Sequence, residues 1–226
     1  MKIGGFIKQS LIDYPGKIVA VIFTQGCNFR CGYCHNPQLV LPELFENELS
    51  YTPDIIFQYL QEHKNWLDGV VVTGGEPTIH NDLPEFLKKI KDYGYLVKLD
   101  TNGSNPFILE KIIKNKLTDF IAMDIKTLPE RDFYFEITGI QNIPDIAERI
   151  IASVILLKNS GVDVEFRTTR LPDIHTNEMM DFIRNFIGSD KRFVVNEYRE
   201  GKTIDFYKNQ SLNWKYLTGK ATGLSP

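Results

Sequence analysis

The sequence predicts an α/β fold in one domain, built on a parallel sheet that curls only part-way into a barrel. Three observations carry this prediction. Short apolar, β-branched runs alternate with segments of helical spacing along the 226 residues. Six such units are present, too few for a closed eight-stranded barrel. Polar and glycine-containing segments fall directly after the strands, where parallel α/β sheets keep their chemistry.

The elements follow in order. Residues 18–25 (IVAVIFTQ) form an apolar run of strand length. Residues 53–64 place Ile55, Ile56, Tyr59 and Leu60 on one helical face, behind Thr52 as N-cap. The second strand is 69–73 (GVVVT), followed by a helix over 82–93 that Gly94 closes. A third strand spans 95–100 and a third helix 105–115. The fourth strand is 119–125, and a long helix over 143–159 ends at Gly161, a natural residue beyond a helix C-terminus. Residues 162–169 are the fifth strand, 176–187 a helix and 192–198 the sixth strand. The single domain covers 1–226, with its core at about 18–200 between a short lead-in and a tail. There is no heptad run, repeat or low-complexity segment.

Bulk properties exclude several classes. Hydrophobic residues at 42% and charged residues at 24% suit a globular protein with a full core. The net charge of −3, with cations scattered among anions, lacks the basic footprint of a nucleic-acid binder. No apolar run approaches the roughly 20 residues of a membrane span. The start, Met-Lys-Ile-Gly-Gly-Phe, has no apolar signal-peptide core, so a cytoplasmic location is expected.

The three cysteines are Cys27, Cys31 and Cys34, all after the first of these strands. A disulfide framework needs an even number spread along the chain, whereas clustered thiols read as metal or cluster ligands. An iron–sulfur cube normally takes four cysteines, so three leave one iron open, as a catalytic metal requires. The alternative is a zinc ion bound by the three thiols and His35. Adjacent Cys34 and His35 have difficulty converging on one tetrahedral ion, and no second Cys-x2-Cys pair exists.

Other strand ends are also polar. The second ends in Thr73-Gly74-Gly75-Glu76-Pro77, whose glycines allow close backbone approach and whose Glu76 can accept bonds from an ammonium; an ordinary turn has the same residues. The third ends in Asp100-Thr101-Asn102-Gly103, able to bind ribose hydroxyls or simply to turn. The fourth ends in Asp124-Ile125-Lys126, where Lys126 pairs with a carboxylate or sits in a surface ion pair. On the fifth, Arg167 shares a face with Glu165 and Thr169, and that face is either the barrel interior or its outside.

The pattern C-x3-C-x-aromatic-C resembles the signature of the radical S-adenosylmethionine (SAM) superfamily. That resemblance implies a partial (β/α)6 TIM-like barrel, a [4Fe–4S] cluster held by Cys27, Cys31 and Cys34, and SAM chelating the open iron. It implies reductive cleavage of SAM to a 5′-deoxyadenosyl radical, with no general acid or base. It places Tyr33 against the adenine and His35 within the cofactor pocket. Gly74, Gly75, Glu76 and Pro77 resemble the motif that holds the methionine amino group. Asp100, Thr101, Asn102, Asp124 and Lys126 resemble SAM-contacting segments of glycyl-radical activating enzymes, with Arg167 a candidate for the cofactor carboxylate. Asp100, Thr101 and Asp124 match residues that hold a monovalent cation. Tyr198 stands about where pyruvate formate-lyase activases carry a histidine.

A longer resemblance, over 3–41 and through Thr138-Gly139, Arg167-Thr168-Thr169 and His175, is to activating proteins of anaerobic ribonucleoside-triphosphate reductase. It implies a glycyl-radical enzyme as protein substrate. With no further cysteine cluster, the electron comes from a flavodoxin or ferredoxin. Three readings stay open: a glycyl-radical activase, including one for a pyruvate formate-lyase-like enzyme; a radical enzyme acting on a small molecule; and a non-catalytic electron carrier or zinc module.

Overall fold

The computed structural model describes residues 1–45, 51–140 and 142–205. Seven strands lie in sequence order in one sheet: β1 (Ile3–Ser10), β2 (Val19–Thr24), β3 (Gly69–Gly74), β4 (Leu96–Thr101), β5 (Phe120–Asp124), β6 (Asp163–Arg170) and β7 (Arg192–Glu197). From β2 to β7 every pairing is parallel, so all six C-terminal ends open on the same rim. Helices α1 (Pro37–Val40), α2 (Pro53–Glu62), α3 (Leu83–Asp92), α4 (Pro106–Lys114), α5 (Arg131–Thr138), α6 (Ile146–Lys158) and α7 (Asn177–Ile187) fill the connections. The architecture is the part-closed α/β barrel that the strand–helix rhythm predicts.

Side-chain parity divides the core. Ala20, Ile22, Val70, Val72, Val97, Leu99, Ile121 and Met123 pack outward against the helices. Val19, Val21, Val71, Phe120 and Ala122 form a separate interior cluster with Tyr14. Strands buried on both faces are continuous apolar runs rather than alternating ones, which is why they read so clearly. On β4, inward parity falls to Lys98 and Asp100.

Three elements have no counterpart in the sequence rhythm: β1, α1 and α5. The lead-in is a strand: β1 runs antiparallel to β2, with Phe6 opposite Ile22 and Ile7 opposite Val21. Its Gly-Gly, Lys, Gln and Ser residues show no apolar run because, of its side chains, only Ile3 is buried. The loop after it brings Tyr14 onto Phe120, ring centroids 5.5 Å apart, closing the barrel floor. The helices are α1, of four residues, and α5, a short helix ended by Gly139 in the left-handed region at φ +63°.

Candidate functional site

The cysteine loop leaves the end of β2 and is tied down on every side. Gly26 N–H donates to the Leu39 carbonyl at 2.7 Å, and Glu76 N–H to the Gly26 carbonyl at 2.8 Å. Arg30 N–H donates to the Thr138 carbonyl at 2.6 Å, so α5 serves as an anchor for the loop. The Arg30 guanidinium folds back onto the carbonyls of Cys27 and Phe29 at 2.5 and 2.8 Å. Asn28 donates to Ser104 at 2.8 Å and accepts from Asn102 at 2.9 Å, joining the loop to the end of β4. From the far end of the described chain, Ile204 and Asp205 N–H groups bond the carbonyls of Cys34 and Gly32.

Close approach explains the two glycines after β3. A Cβ on Gly75 would lie 1.9 Å from the Gly26 carbonyl oxygen. Gly74 has φ +117° and a Cβ there would meet the Thr24 backbone nitrogen at 2.4 Å. Gly75 excludes a side chain because the cysteine loop passes directly over it, and Gly74 because the end of β2 lies against it and its backbone is left-handed.

Glu76 is 1% exposed, and its carboxylate accepts four hydrogen bonds. Thr78 N–H, Thr78 hydroxyl and Thr101 hydroxyl reach Oε1 at 3.1, 2.6 and 2.7 Å, and Asn102 N–H reaches Oε2 at 2.7 Å. Burial pushes this carboxyl above its ordinary range while the four donors pull it back. Glu76 thus rivets the end of β3 to the end of β4.

A charge ladder crosses the interior. Lys98 donates to Asp100 Oδ1 at 2.7 Å, Arg167 Nη1 lies 3.4 Å from Asp100 Oδ2, Arg167 Nε 2.8 Å from Asp124 Oδ1, and Lys126 Nζ 2.9 Å from Asp124 Oδ2. Arg167 therefore lies on the interior face. Burial opposes ionisation of Asp124, but Arg167 and Lys126 hold its carboxyl well below the carboxylate range. Burial alone would lower Lys126, and Asp124 raises it above the usual lysine value.

One cavity of about 240 Å³ gathers most of the residues singled out from sequence. It is lined by Cys27, Cys31 and Cys34; by Tyr33 and His35; by Gly74, Gly75 and Glu76; and by Asp100, Thr101, Asn102, Asp124, Lys126 and Arg167. Pro77 does not line it; buried, it opens the 3-10 turn Pro77–Ile79. Tyr198 stands beside the cavity, its ring 5.9 Å from that of His35. The structure adds Asn28, Thr78, Lys98 and Ser104, whose roles lie in fixing other site residues. Lys98 alone had a sequence signal, standing two residues before Asp100 on the same strand face.

The donor set fits an iron–sulfur cluster better than zinc. His35 Nε2 is 2.7 Å from the Arg199 carbonyl oxygen and so is committed elsewhere. Among the described residues, no three His, Cys, Asp or Glu side chains converge on a point for a single ion. A cube spreads its thiolates over separate irons and needs no such point. Burial pushes the Cys27 thiol up to about 12 and the Cys31 thiol up to about 11, so both favour the neutral thiol until a bound metal supplies positive charge that stabilises the thiolates.

His175 braces the rim. It is 1% exposed; its Nδ1 accepts from Leu171 N–H at 2.9 Å and its Nε2 lies 3.0 Å from the Lys126 carbonyl oxygen. These partners require the neutral tautomer protonated on Nε2. Burial lowers its pKa below the ordinary 6.5. A lowered folded-state pKa stabilises the fold above the unfolded value, and that contribution is lost as pH falls below it. His175→Ala is expected to destabilise the apoprotein by about 2–3 kcal/mol near neutrality, from two broken buried bonds. In urea unfolding, the gap from wild type should shrink as pH falls from 7.5 to 5; a constant gap refutes the neutral ring assigned to the folded state.

Comparison with known proteins gives a consistent set of matches. The family model described as the Radical SAM superfamily matches residues 21–186. A Methanocaldococcus jannaschii protein named "Putative glycyl-radical enzyme activating enzyme" is 34% identical over 205 residues, covering 90% of this chain and 82% of that protein. The pyruvate formate-lyase-activating enzyme of Clostridium pasteurianum is 29% identical over 221 residues, covering 92% and 85%. Among solved structures, Streptococcus suis SuiB bound to precursor peptide SuiA superposes with a TM-score of 0.63 at 19% identity, a likeness of fold. It covers 89% of this chain, which spans about half of that one (46%). Among the described residues, no helix is long and apolar enough to cross a membrane.

Proposed function

The chain belongs to the radical SAM superfamily, and on that premise we propose that it activates a glycyl-radical enzyme, with anaerobic ribonucleoside-triphosphate reductase as its protein substrate. The family implies a [4Fe–4S] cluster and SAM. One observation carries the reading: three thiols from a single loop share a cavity with the ends of β3, β4, β5 and β6. The similarity to activating enzymes over nine-tenths of the chain supports it. The narrower choice of the reductase rests on the resemblance of residues 3–41.

When bound, the cluster and SAM supply a one-electron cleavage and, from it, a radical able to take hydrogen from carbon. In this reading Cys27, Cys31 and Cys34 hold the cluster and leave one iron without a cysteine. The Gly74–Gly75 backbone takes the methionine ammonium, and the positive charge of Arg167 and Lys126 attracts its carboxylate. Tyr33 and His35 flank the adenosyl group. Asn28, Asn102 and Glu76 keep the loop and strand ends in place, so the cavity is organised before any ligand arrives. The buried walls keep water from the reacting carbon. All three cysteines belong to this loop, which makes a separate flavodoxin or ferredoxin the electron source.

The test uses anaerobically reconstituted protein, reduced flavodoxin and SAM. It should yield 5′-deoxyadenosine and, with the reductase added, a glycyl-radical signal in electron paramagnetic resonance. A signal only with a pyruvate formate-lyase would move the substrate to that class. Absence of 5′-deoxyadenosine under strong reduction would remove the enzymatic reading and leave an electron carrier.

A further inference from the structure

Asp100, Thr101 and Asp124 are the residues whose resemblance implies a monovalent cation, yet their oxygens are already engaged. Lys98 and Arg167 take the two oxygens of Asp100, and Arg167 and Lys126 those of Asp124. The Thr101 hydroxyl donates to Glu76 at 2.7 Å and accepts from Gly103 N–H at 3.1 Å. Among the described residues, three fixed cations share two carboxylates here, leaving one net positive charge. A metal cation added to this ladder would meet like charge in a buried setting and displace a hydrogen-bonded partner.

We propose that the Lys98 ammonium serves as a built-in monovalent cation, so that this site is complete without a sodium or potassium ion. Lys98 is 4% exposed, projects into the barrel beneath Asp100, and has its ammonium 5.9 Å from the centroid of the Phe120 ring. Strand parity puts Lys98 on the face of the interior apolar cluster, where its ammonium is paired with Asp100. By neutralising one oxygen of Asp100, it leaves Arg167 shared between both carboxylates and the ladder one charge positive. That surplus suits one carboxylate, and the inference rests on the proposed use of this cavity for SAM. Lys98 is a positioning residue, acting through Asp100.

The proposal is tested on two readouts at constant ionic strength, comparing potassium or sodium chloride with choline chloride. On the reconstituted, reduced protein, SAM affinity is followed by the change it causes in the cluster's electron paramagnetic resonance spectrum. Wild type should bind SAM equally in all three salts, within about twofold. Lys98→Met should bind about tenfold more weakly in choline and recover in potassium or sodium, whereas Lys98→Arg keeps the salt-independent behaviour. On the apoprotein, thermal unfolding should be indifferent to the cation for wild type and gain stability from potassium or sodium in Lys98→Met. A wild type that needs sodium or potassium on either readout overturns the proposal without variants. So does a folded Lys98→Met that ignores the cation. Wild type that fails to bind SAM in any salt counts against the proposed function, while the apoprotein melts still decide the role of Lys98.

Discussion

Cys31→Ala is expected to abolish the iron–sulfur absorption of the reconstituted protein and reduce 5′-deoxyadenosine to background, while the apoprotein keeps its fold. Cys31 is 8% exposed within a loop that eight or more hydrogen bonds from Gly26, Asn28, Arg30, Ile204 and their partners already hold. Its thiol behaves in the apoprotein as a small buried group, so truncation costs about 1 kcal/mol of fold stability. The chemistry responds in the opposite way. With one of three thiolates removed and His35 committed to the Arg199 carbonyl, the loop has no neighbouring replacement ligand. Iron content, visible absorption and product formation should fall together. Retained SAM cleavage in Cys31→Ala would dismiss the cluster assignment outright.

Glu76→Ala is expected to be the most damaging change to the fold among the site residues, at about 3–5 kcal/mol. The carboxylate satisfies two backbone N–H groups, of Thr78 and Asn102, and two hydroxyls, of Thr78 and Thr101. Alanine leaves these donors facing a void that the surrounding strand ends cannot close. Glu76→Gln should be intermediate, because its amide nitrogen would face the Asn102 N–H or one of the other donors. Urea unfolding measures the loss, with exposed Glu85→Ala as a reference expected to lie within about 0.5 kcal/mol of wild type. SAM cleavage should fall in the same order, since Asn102 holds the cysteine loop through Asn28. A Glu76→Ala protein as stable as the reference would mean that this carboxylate binds ligand without bracing the strands.

Much of the site was legible because its residues are local in sequence. The cysteine loop, Gly74–Glu76, Asp100–Asn102 and Asp124–Lys126 each occupy one strand end, and parallel order brings such ends to one rim. The face of Arg167 was not legible, since parity relates it to Glu165 and Thr169 without saying which side is inside. Its ion pairs with Asp100 and Asp124 supply that answer. The strand β1 was not legible, because an edge strand with Gly4, Gly5, Lys8 and Gln9 needs no continuous apolar run. The interior placing of Lys98 was not legible either, because an isolated lysine in a strand ordinarily reaches solvent.

The sequence by itself determined the rhythm of strands and helices, the single thiol loop and the placing of polar segments at strand ends. These follow from local spacing and from both-face burial, which a chain carries whatever its partners. Only the tertiary structure decided that Glu76 is spent on four internal hydrogen bonds, that Gly75 is glycine because the cysteine loop passes over it, and that Asp100 and Asp124 are neutralised from within. Those outcomes depend on groups distant in sequence meeting in a buried, low-dielectric space, where each oxygen must find a partner and each charge a counter-charge.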